Sequence, residues 1–359
     1  MKEFIHTNHA QRVIFGSGTA ARIGDEIDAM GASRALLLCT DGRKEPVQRL
    51  AEALGTRCAG VFAGAAMHVP VEVAREARMA AGDLGADCAV AFGGGSTIGL
   101  GKAIALETSL PILAVPTTYS GSEMTSIFGL TEAGIKRTGL DPRVRPRTVI
   151  YDVDLTQSLP LDLSVSSGLN AIAHAAESLY ARDGSPVISL LAQEGIRAMG
   201  AALPLLRDSR EGSTSGRAEA LYGAWLCGTV LGSVTMSLHH KLCHTLGGSF
   251  NLPHAQTHAI VLPHALAYNA SAVPEAMMPI ASALGAKDAA QGVYELVRRV
   301  GAPLALKDIG MREADLDVAC DLAMSTPYPN PRKLEARAIR GLLQDAFDGV
   351  RPAAMPSSQ

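Results

Sequence analysis

The densest run of side chains able to move protons lies between Leu238 and His258, which holds five of the ten histidines. His240 and His244 are four residues apart, so on a helix both imidazoles project from one face. His254 follows Gly247-Gly248 and Pro253, punctuation that reads as a helix end and then a turn. Upstream, Asn170 and His174 repeat the four-residue spacing with an amide and an imidazole. A single helical histidine is usually just a hydrogen-bonded core residue. Clustered titratable groups in otherwise apolar helices point instead to a working site. The two stretches therefore predict one polar pocket lined by His174, His240, His244 and His254.

A second feature could hold a phosphate. The apolar run Ala86–Phe92 enters Gly93-Gly94-Gly95-Ser96, and a helical pattern follows to about Glu107. Glycines let the backbone come close, and a helix N-terminus offers unpaired N–H groups to a pyrophosphate. The spacing is not that of the common Gly-x-Gly-x-x-Gly dinucleotide fingerprint.

These residues need elements to place them. The first half alternates short β-rich runs with helical patterns, the mark of a parallel sheet with helices on both faces. Strands are predicted at 12–15, 35–38, 58–62, 86–92 and 112–115, with helices at 45–54 and 71–84 between them. The runs 125–131 and 147–152 read as two further strands on either side of a solvated basic loop that carries Lys136, Arg137, Arg143 and Arg145. The hydroxyl-rich segment Pro116-Thr117-Thr118-Tyr119-Ser120-Gly121-Ser122-Glu123 follows a strand, at the edge where open α/β sheets bind ligands.

From Leu155 onward no period-2 run recurs and the pattern is helical. The predicted organisation is an α/β dinucleotide-binding domain over 1–154, an all-helical catalytic domain over 155–351 and a flexible tail over 352–359. Ligand sites favour domain borders, so a cleft between Gly94-Gly95-Ser96 and the histidine helices is the expected active site.

Composition narrows the function classes. A net charge of -3 argues against a nucleic-acid partner. The six cysteines are scattered without a Cys-x-x-Cys, which fits reduced thiols and a cytoplasmic location. Met1–His9 lacks the apolar core of a signal peptide, and the uncharged, Gly- and Ser-containing stretch Ala220–Leu238 reads as a closely packed central helix, not a membrane span.

Taken in order, Gly93-Gly-Gly-Ser96, Pro116-Thr-Thr-x-x-Gly-Ser-Glu123, Asn170-x-x-x-His174, His240-x-x-x-His244, Pro253-His254 and Asn330-Pro-Arg332 resemble the iron-containing alcohol dehydrogenase family over nearly the whole chain. The resemblance implies that family's fold, which dehydroquinate synthase shares: an N-terminal dinucleotide-binding α/β domain, an all-α C-terminal domain and a homodimer. It places Gly94, Gly95 and Ser96 at the cofactor pyrophosphate, Thr117, Thr118, Ser122 and Thr125 beside the ribose and nicotinamide, and Lys136 near the cofactor. Asp41, just after the second strand, would accept from the adenosine ribose and repel a 2′-phosphate, which favours NADH over NADPH.

Two departures from the family pattern matter. Metal-dependent members carry an aspartate where this chain has Asn170; the matching ligands would be His174, His240 and His254. An amide is a poor ligand for a divalent transition metal, and three neutral imidazoles give no charge compensation. Gly99 also replaces a family aspartate. The expectation is a metal-independent branch in which NAD(P)H reduces a carbon–carbon double bond conjugated to a ketone in a small dicarboxylate. A protonated imidazole would stabilise the enolate and return the proton, His244 first and His254 second, with Lys241 and the other imidazoles orienting the carboxylates. The alternative is a metal-dependent NAD(P) alcohol dehydrogenase of the same fold.

Overall fold

The computed structural model describes residues 3–209 and 214–353, the side chains of Ile135 and Lys136 excepted. The chain forms two compact units: Asn8–Leu159, and Pro160–Gln359 together with Met1–Thr7. The border thus falls five residues later than the composition shift at Leu155 implied, because the last α/β strand is followed by a 3-10 turn, Val153–Thr156, that stays with the sheet. Of the expected tail, residues 354–359 lie outside the described residues, while Pro352 is buried and its carbonyl accepts from Gln291 at 3.2 Å. Order therefore runs past Arg351.

The first unit contains β1 Arg12–Phe15, α1 Ile23–Ala29, β2 Ala35–Leu38, α2 Lys44–Leu54, β3 Cys58–Phe62, α3 Val71–Asp83, β4 Cys88–Gly93, α4 Gly95–Thr108, β5 Ile112–Pro116, β6 Ile127–Glu132, β7 Ile135–Leu140 and β8 Thr148–Tyr151. Six strands form one sheet in the order β1-β8-β5-β4-β2-β3, with every pairing parallel. Helices on both faces explain why β2, β4, β5 and β8 are buried along their whole length and read as continuous apolar runs. One face packs Leu37, Val90 and Val115 against α1 and α2, and the other packs Leu36, Leu38 and Ala89 against α3 and α4.

The basic stretch differs from its expectation. It is solvated, with Arg137, Thr138, Leu140 and Arg143 exposed, but it is not a loop throughout: Ile135–Leu140 is a strand, paired antiparallel to β6 in a separate two-stranded sheet. Arg145 inserts its guanidinium toward the carbonyl of Met124 at 2.6 Å and the hydroxyl of Ser126 at 3.1 Å. The segment 147–152 joins the main sheet as β8 and does not pair with β6.

The second unit is helical: α5 Leu161–Ser178, α6 Pro186–Asp208, α7 Thr214–Leu231, α8 Leu238–Phe250, α9 His254–Asn269, α10 Pro274–Ala283, α11 Ala289–Arg299, α12 Leu316–Met324 and α13 Ala336–Asp348. The small residues of the uncharged stretch let α7 lie close to α6. A Cβ at Gly223 would stand 3.0 Å from the backbone nitrogen of Met199, and one at Gly195 would meet Cys227 Sγ at 2.8 Å. Among the described residues no helix is long and apolar enough to cross a membrane.

Two local expectations are corrected here. Leu238 is not the end of α7 but the start of α8. Gly247-Gly248 does not break the helix, which continues to Phe250 and ends on Asn251 at φ 53. Two glycines cost a helix interior roughly 1 kcal/mol each, but buried Leu246 and Leu252 on either side anchor that last turn in the core beneath α12 and α13.

Candidate active site

In the α/β unit the glycine turn and the hydroxyl loop face one another. β4 and β5 are paired neighbours whose ends both open at Gly93 and Pro116, and Thr117 donates its N–H to Gly93 O at 3.1 Å. A Cβ at Gly94 would lie 2.9 Å from the side chain of Thr118, and one at Gly95 would lie 3.3 Å from Ser120 Oγ. Only glycine lets the backbone of the turn pack this closely against the hydroxyl side chains. Helix α4 starts at Gly95, so its first-turn N–H groups and positive end point at the same spot, with half-buried Ser96 in that turn. Thr117 is buried, Thr118 and Ser122 are half-buried, and Asp41 is exposed in the 3-10 turn after β2. The side chain of Lys136, on β7, lies outside the described residues.

Thr125 has a different setting from the rest. Its hydroxyl is 2.9 Å from the ammonium of Lys102, which also donates to Ser122 O and Ile127 O, both at 2.7 Å. Lys102 is fully buried, and burial pulls its ammonium down to about 7 against the opposing charge of Glu123. Glu123 is likewise buried and raised, chiefly by desolvation, with Tyr151 OH donating to it at 2.8 Å. Thr125 therefore serves the loop's internal bonding.

In the helical unit, α5, α8 and α9 gather a block of imidazoles. His174 and His240 stack at 5.2 Å between centroids, and His244 and His254 stack at 6.2 Å. His244 and His254 are exposed, whereas His174 and His240 are 5% and 6% exposed. Two further imidazoles complete the block. His258 lies one turn beyond His254 on α9, contacts His254 at 4.3 Å and His240 at 5.1 Å, and shares a hydrogen bond of 3.0 Å with His239. Burial first, then the charge of neighbouring imidazoles, holds His174, His239 and His258 well below the ordinary histidine range, so all three are neutral.

Spacing alone missed a carboxylate at the centre of this block. Glu177 on α5 is wholly buried and lies 2.7 Å from His240 Nδ1. A signal was present: Asn170, His174 and Glu177 fall at i, i+4 and i+7, one helix face. His254 and His258 likewise share the four-residue spacing. Asn170 Oδ1, His174 Nδ1, His240 Nε2 and His258 Nε2 are all buried with no hydrogen-bond partner, acceptor and donor capacity that a ligand would use. The ammonium of Lys241 lies 5.9 Å from the centre of the Tyr328 ring.

The donors present suit the family's iron poorly. An amide replaces the carboxylate, and the carboxylate beside the cluster, Glu177, has both oxygens engaged by Ser237 N, His239 N and His240. The rings of His174 and His240 are stacked, within 27° of parallel and with centroids 5.2 Å apart. Among the described residues, His239, Cys243 and His258 bring donor atoms within 4.8 Å of one another and by distance could share an ion. Yet Cys243 Sγ is 3.7 and 3.9 Å from the two ring nitrogens of His239, against the ring's side and not off one lone pair. Burial, then Glu177, pushes that thiol well above its ordinary value, so it stays protonated. This grouping is a hydrogen-bonded imidazole pair packed on a neutral thiol.

A parallel α/β unit with a glycine turn at a helix N-terminus can hold a phosphate-bearing ligand, and a helical unit carrying clustered imidazoles can move protons. Family profiles agree: residues 10–153 match iron-containing alcohol dehydrogenase, and residues 164–347 match the C-terminal domain of the Fe-containing alcohol dehydrogenase family. The chain belongs to the iron-containing alcohol dehydrogenase family and is an oxidoreductase. Within it, the chain is 59% identical to a maleylacetate reductase of Burkholderia cepacia over 98% of this chain and all of that protein. It superposes on crystal structures of maleylacetate reductases from Agrobacterium tumefaciens and Rhizobium sp. strain MTP-10005, each with a TM-score of 0.96, at 51% and 52% identity, covering 98% of this chain and 100% of each of theirs.

Proposed function

We propose that this oxidoreductase uses NADH, or NADPH, to reduce the carbon–carbon double bond of maleylacetate to 3-oxoadipate in the breakdown of aromatic compounds, without a metal ion. The observation that carries the reading is Asn170 in the aspartate position, one helix turn before His174, where an amide replaces the carboxylate a divalent metal would need. An isolated ketone needs a strong electrophile to take a hydride, but an alkene conjugated to a ketone spreads the incoming charge into an enolate, which hydrogen-bond donors can stabilise.

The α/β unit holds the cofactor with Gly94, Gly95, Ser96, Thr117, Thr118 and Ser122, with Asp41 favouring NADH. In the helical unit, exposed His244 and His254 are the imidazoles open to protons from water, and His244 is the first choice to stabilise the enolate and deliver the proton. The neutral inner rings and Asn170 offer hydrogen-bonding edges to the substrate's carboxylates and ketone, and Lys241 adds a positive charge to the same helix. The working form is a homodimer.

The reading is tested by following NADH oxidation with maleylacetate before and after dialysis against a chelator, with metal content measured in both samples. Full activity in metal-free protein, with 3-oxoadipate as product, is the expected result. A second reading has one observation in its favour: His240 bonds a carboxylate through Nδ1 and leaves Nε2 bare, as ion-binding imidazoles do. Activity lost with a stoichiometric ion and regained on its return would establish a metal-dependent alcohol dehydrogenase instead.

A further inference from the structure

We infer that Glu177 is the positioning residue of the histidine cluster: it holds the first turn of α8 and fixes His240 as the Nδ1–H tautomer, with Nε2 kept as a bare hydrogen-bond acceptor. Glu177 is wholly buried, and among the described residues no lysine or arginine pairs with it. A carboxylate in that setting persists only if donors surround it. Three do. Oε2 accepts from Ser237 N at 2.9 Å and faces His240 Nδ1 at 2.7 Å, and Oε1 accepts from His239 N at 2.8 Å.

Two of those donors are backbone groups at the start of α8, whose N-cap residue Ser237 makes no capping hydrogen bond with its own side chain. A carboxylate on α5 thus takes over the cap, and its charge also complements the positive end of α8. The same oxygen that accepts from Ser237 sets the ring of His240. A proton on Nε2 would leave the Nδ1 lone pair facing a carboxylate oxygen at 2.7 Å, two acceptors in contact, so the proton must sit on Nδ1. His174, one turn earlier on α5, stacks on the face of that ring while Glu177 holds its edge. Orientation and tautomer are then both determined by α5. Nε2, buried and without a partner, is left to accept a hydrogen bond from a bound ligand, and proton delivery by neutral imidazoles falls to other rings.

The functional half of this inference rests on the proposed reduction of maleylacetate; the tautomer does not. The experiment uses chelator-dialysed full-length protein labelled with ¹⁵N at histidine, with the His240 ring signals assigned by a His240→Asn variant. Long-range ¹H–¹⁵N correlation should show Nδ1–H at His240, and a wild-type Nε2–H tautomer would overturn the inference without any Glu177 variant being needed. In Glu177→Gln, an amide that can turn its own NH2 toward the ring should convert His240 toward Nε2–H. The kcat with maleylacetate should then fall about 10–100-fold, while NADH affinity, read by fluorescence titration, stays unchanged. A folded Glu177→Gln protein with wild-type kcat would also overturn it. Wild-type protein that fails to turn over maleylacetate would sink the substrate reading alone, with the tautomer still decided by the spectra.

Discussion

The ammonium of Lys102 and the hydroxyl of Thr125 are 2.9 Å apart, and through this contact the helix that follows the glycine turn grips the loop that follows β5. The same ammonium reaches two carbonyls of that loop, so each of its protons has an acceptor. Replacing Lys102 with Met keeps the apolar stem and removes all three bonds. Leaving buried acceptors unpaired costs about 1–3 kcal/mol each, offset in part by no longer burying a charge. We expect a lower melting temperature and NADH binding weakened about tenfold, a loss of about 1.4 kcal/mol, checked by calorimetry and fluorescence titration. An unchanged NADH affinity would mean the loop keeps its place without the clamp.

Acid should destabilise this protein early. Burial lowers His264 to about 4, and it lowers His174, His239 and His258 well below the ordinary value of 6.5. For each, the folded form binds the proton less readily than the unfolded chain. The stability these neutral rings contribute is therefore complete above pH 6.5 and is lost as pH falls from there toward 4 and below. His264 alone accounts for something on the order of 3 kcal/mol. Urea unfolding across that pH range should show a steep acid limb in the wild type and a shallower one in His264→Leu. Parallel limbs would show that His264 takes its proton without unfolding.

Putting the family's aspartate back at position 99 should not help. A Cβ on Gly99 would lie 2.8 Å from Val69 Cγ2, and Val69 is itself held at φ 48, an uncommon conformation for a β-branched residue. Its carbonyl accepts from Thr131 N at 3.1 Å, so it cannot withdraw freely. Gly99→Asp should lose about 1–3 kcal/mol of stability with no gain in cofactor affinity. Thermal melts and NADH titration read both quantities, and a variant as stable as the wild type would show that the Val69 segment yields.

The exposed, stacked pair His244 and His254 can be separated by substitution. His244→Ala should lower kcat about 10²–10⁴-fold, the usual value of a positioned proton donor. His254→Ala should cost less, and both variants should bind NADH as the wild type does. Stopped-flow hydride transfer with maleylacetate distinguishes this from the reverse ranking, in which His254 is the donor.

Much of the α/β unit could be read directly. β2 occupies the residues its apolar run predicted, because a strand buried on both faces leaves an unambiguous composition, and the partly exposed edge strands β1 and β3 also fall where their short β-rich runs predicted. β6 lies within two residues of the strand predicted at 125–131, but its partner β7 was hidden for the opposite reason: it is basic and largely exposed where described, so neither alternation nor hydrophobicity marks it. Lys102 was hidden by its type, since a lysine on a helix ordinarily reaches water. The histidine spacing located the cluster and named four of its rings, but passed over His258, which follows His254 at the same four-residue spacing. It did not name His239, whose role depends on α9 meeting α8 and bringing His258 within 3.0 Å.

The sheet order has a consequence for the protein's synthesis. β1 leaves the ribosome early, yet its neighbour in the finished sheet is β8, with Arg12 aligned to Thr148. Until that late strand emerges, the opening strand has no mate, and any nascent or truncated chain ending before Thr148 exposes an unfilled gap beside β5 as well. The sheet of the α/β unit is therefore closed by the last of its strands to be made.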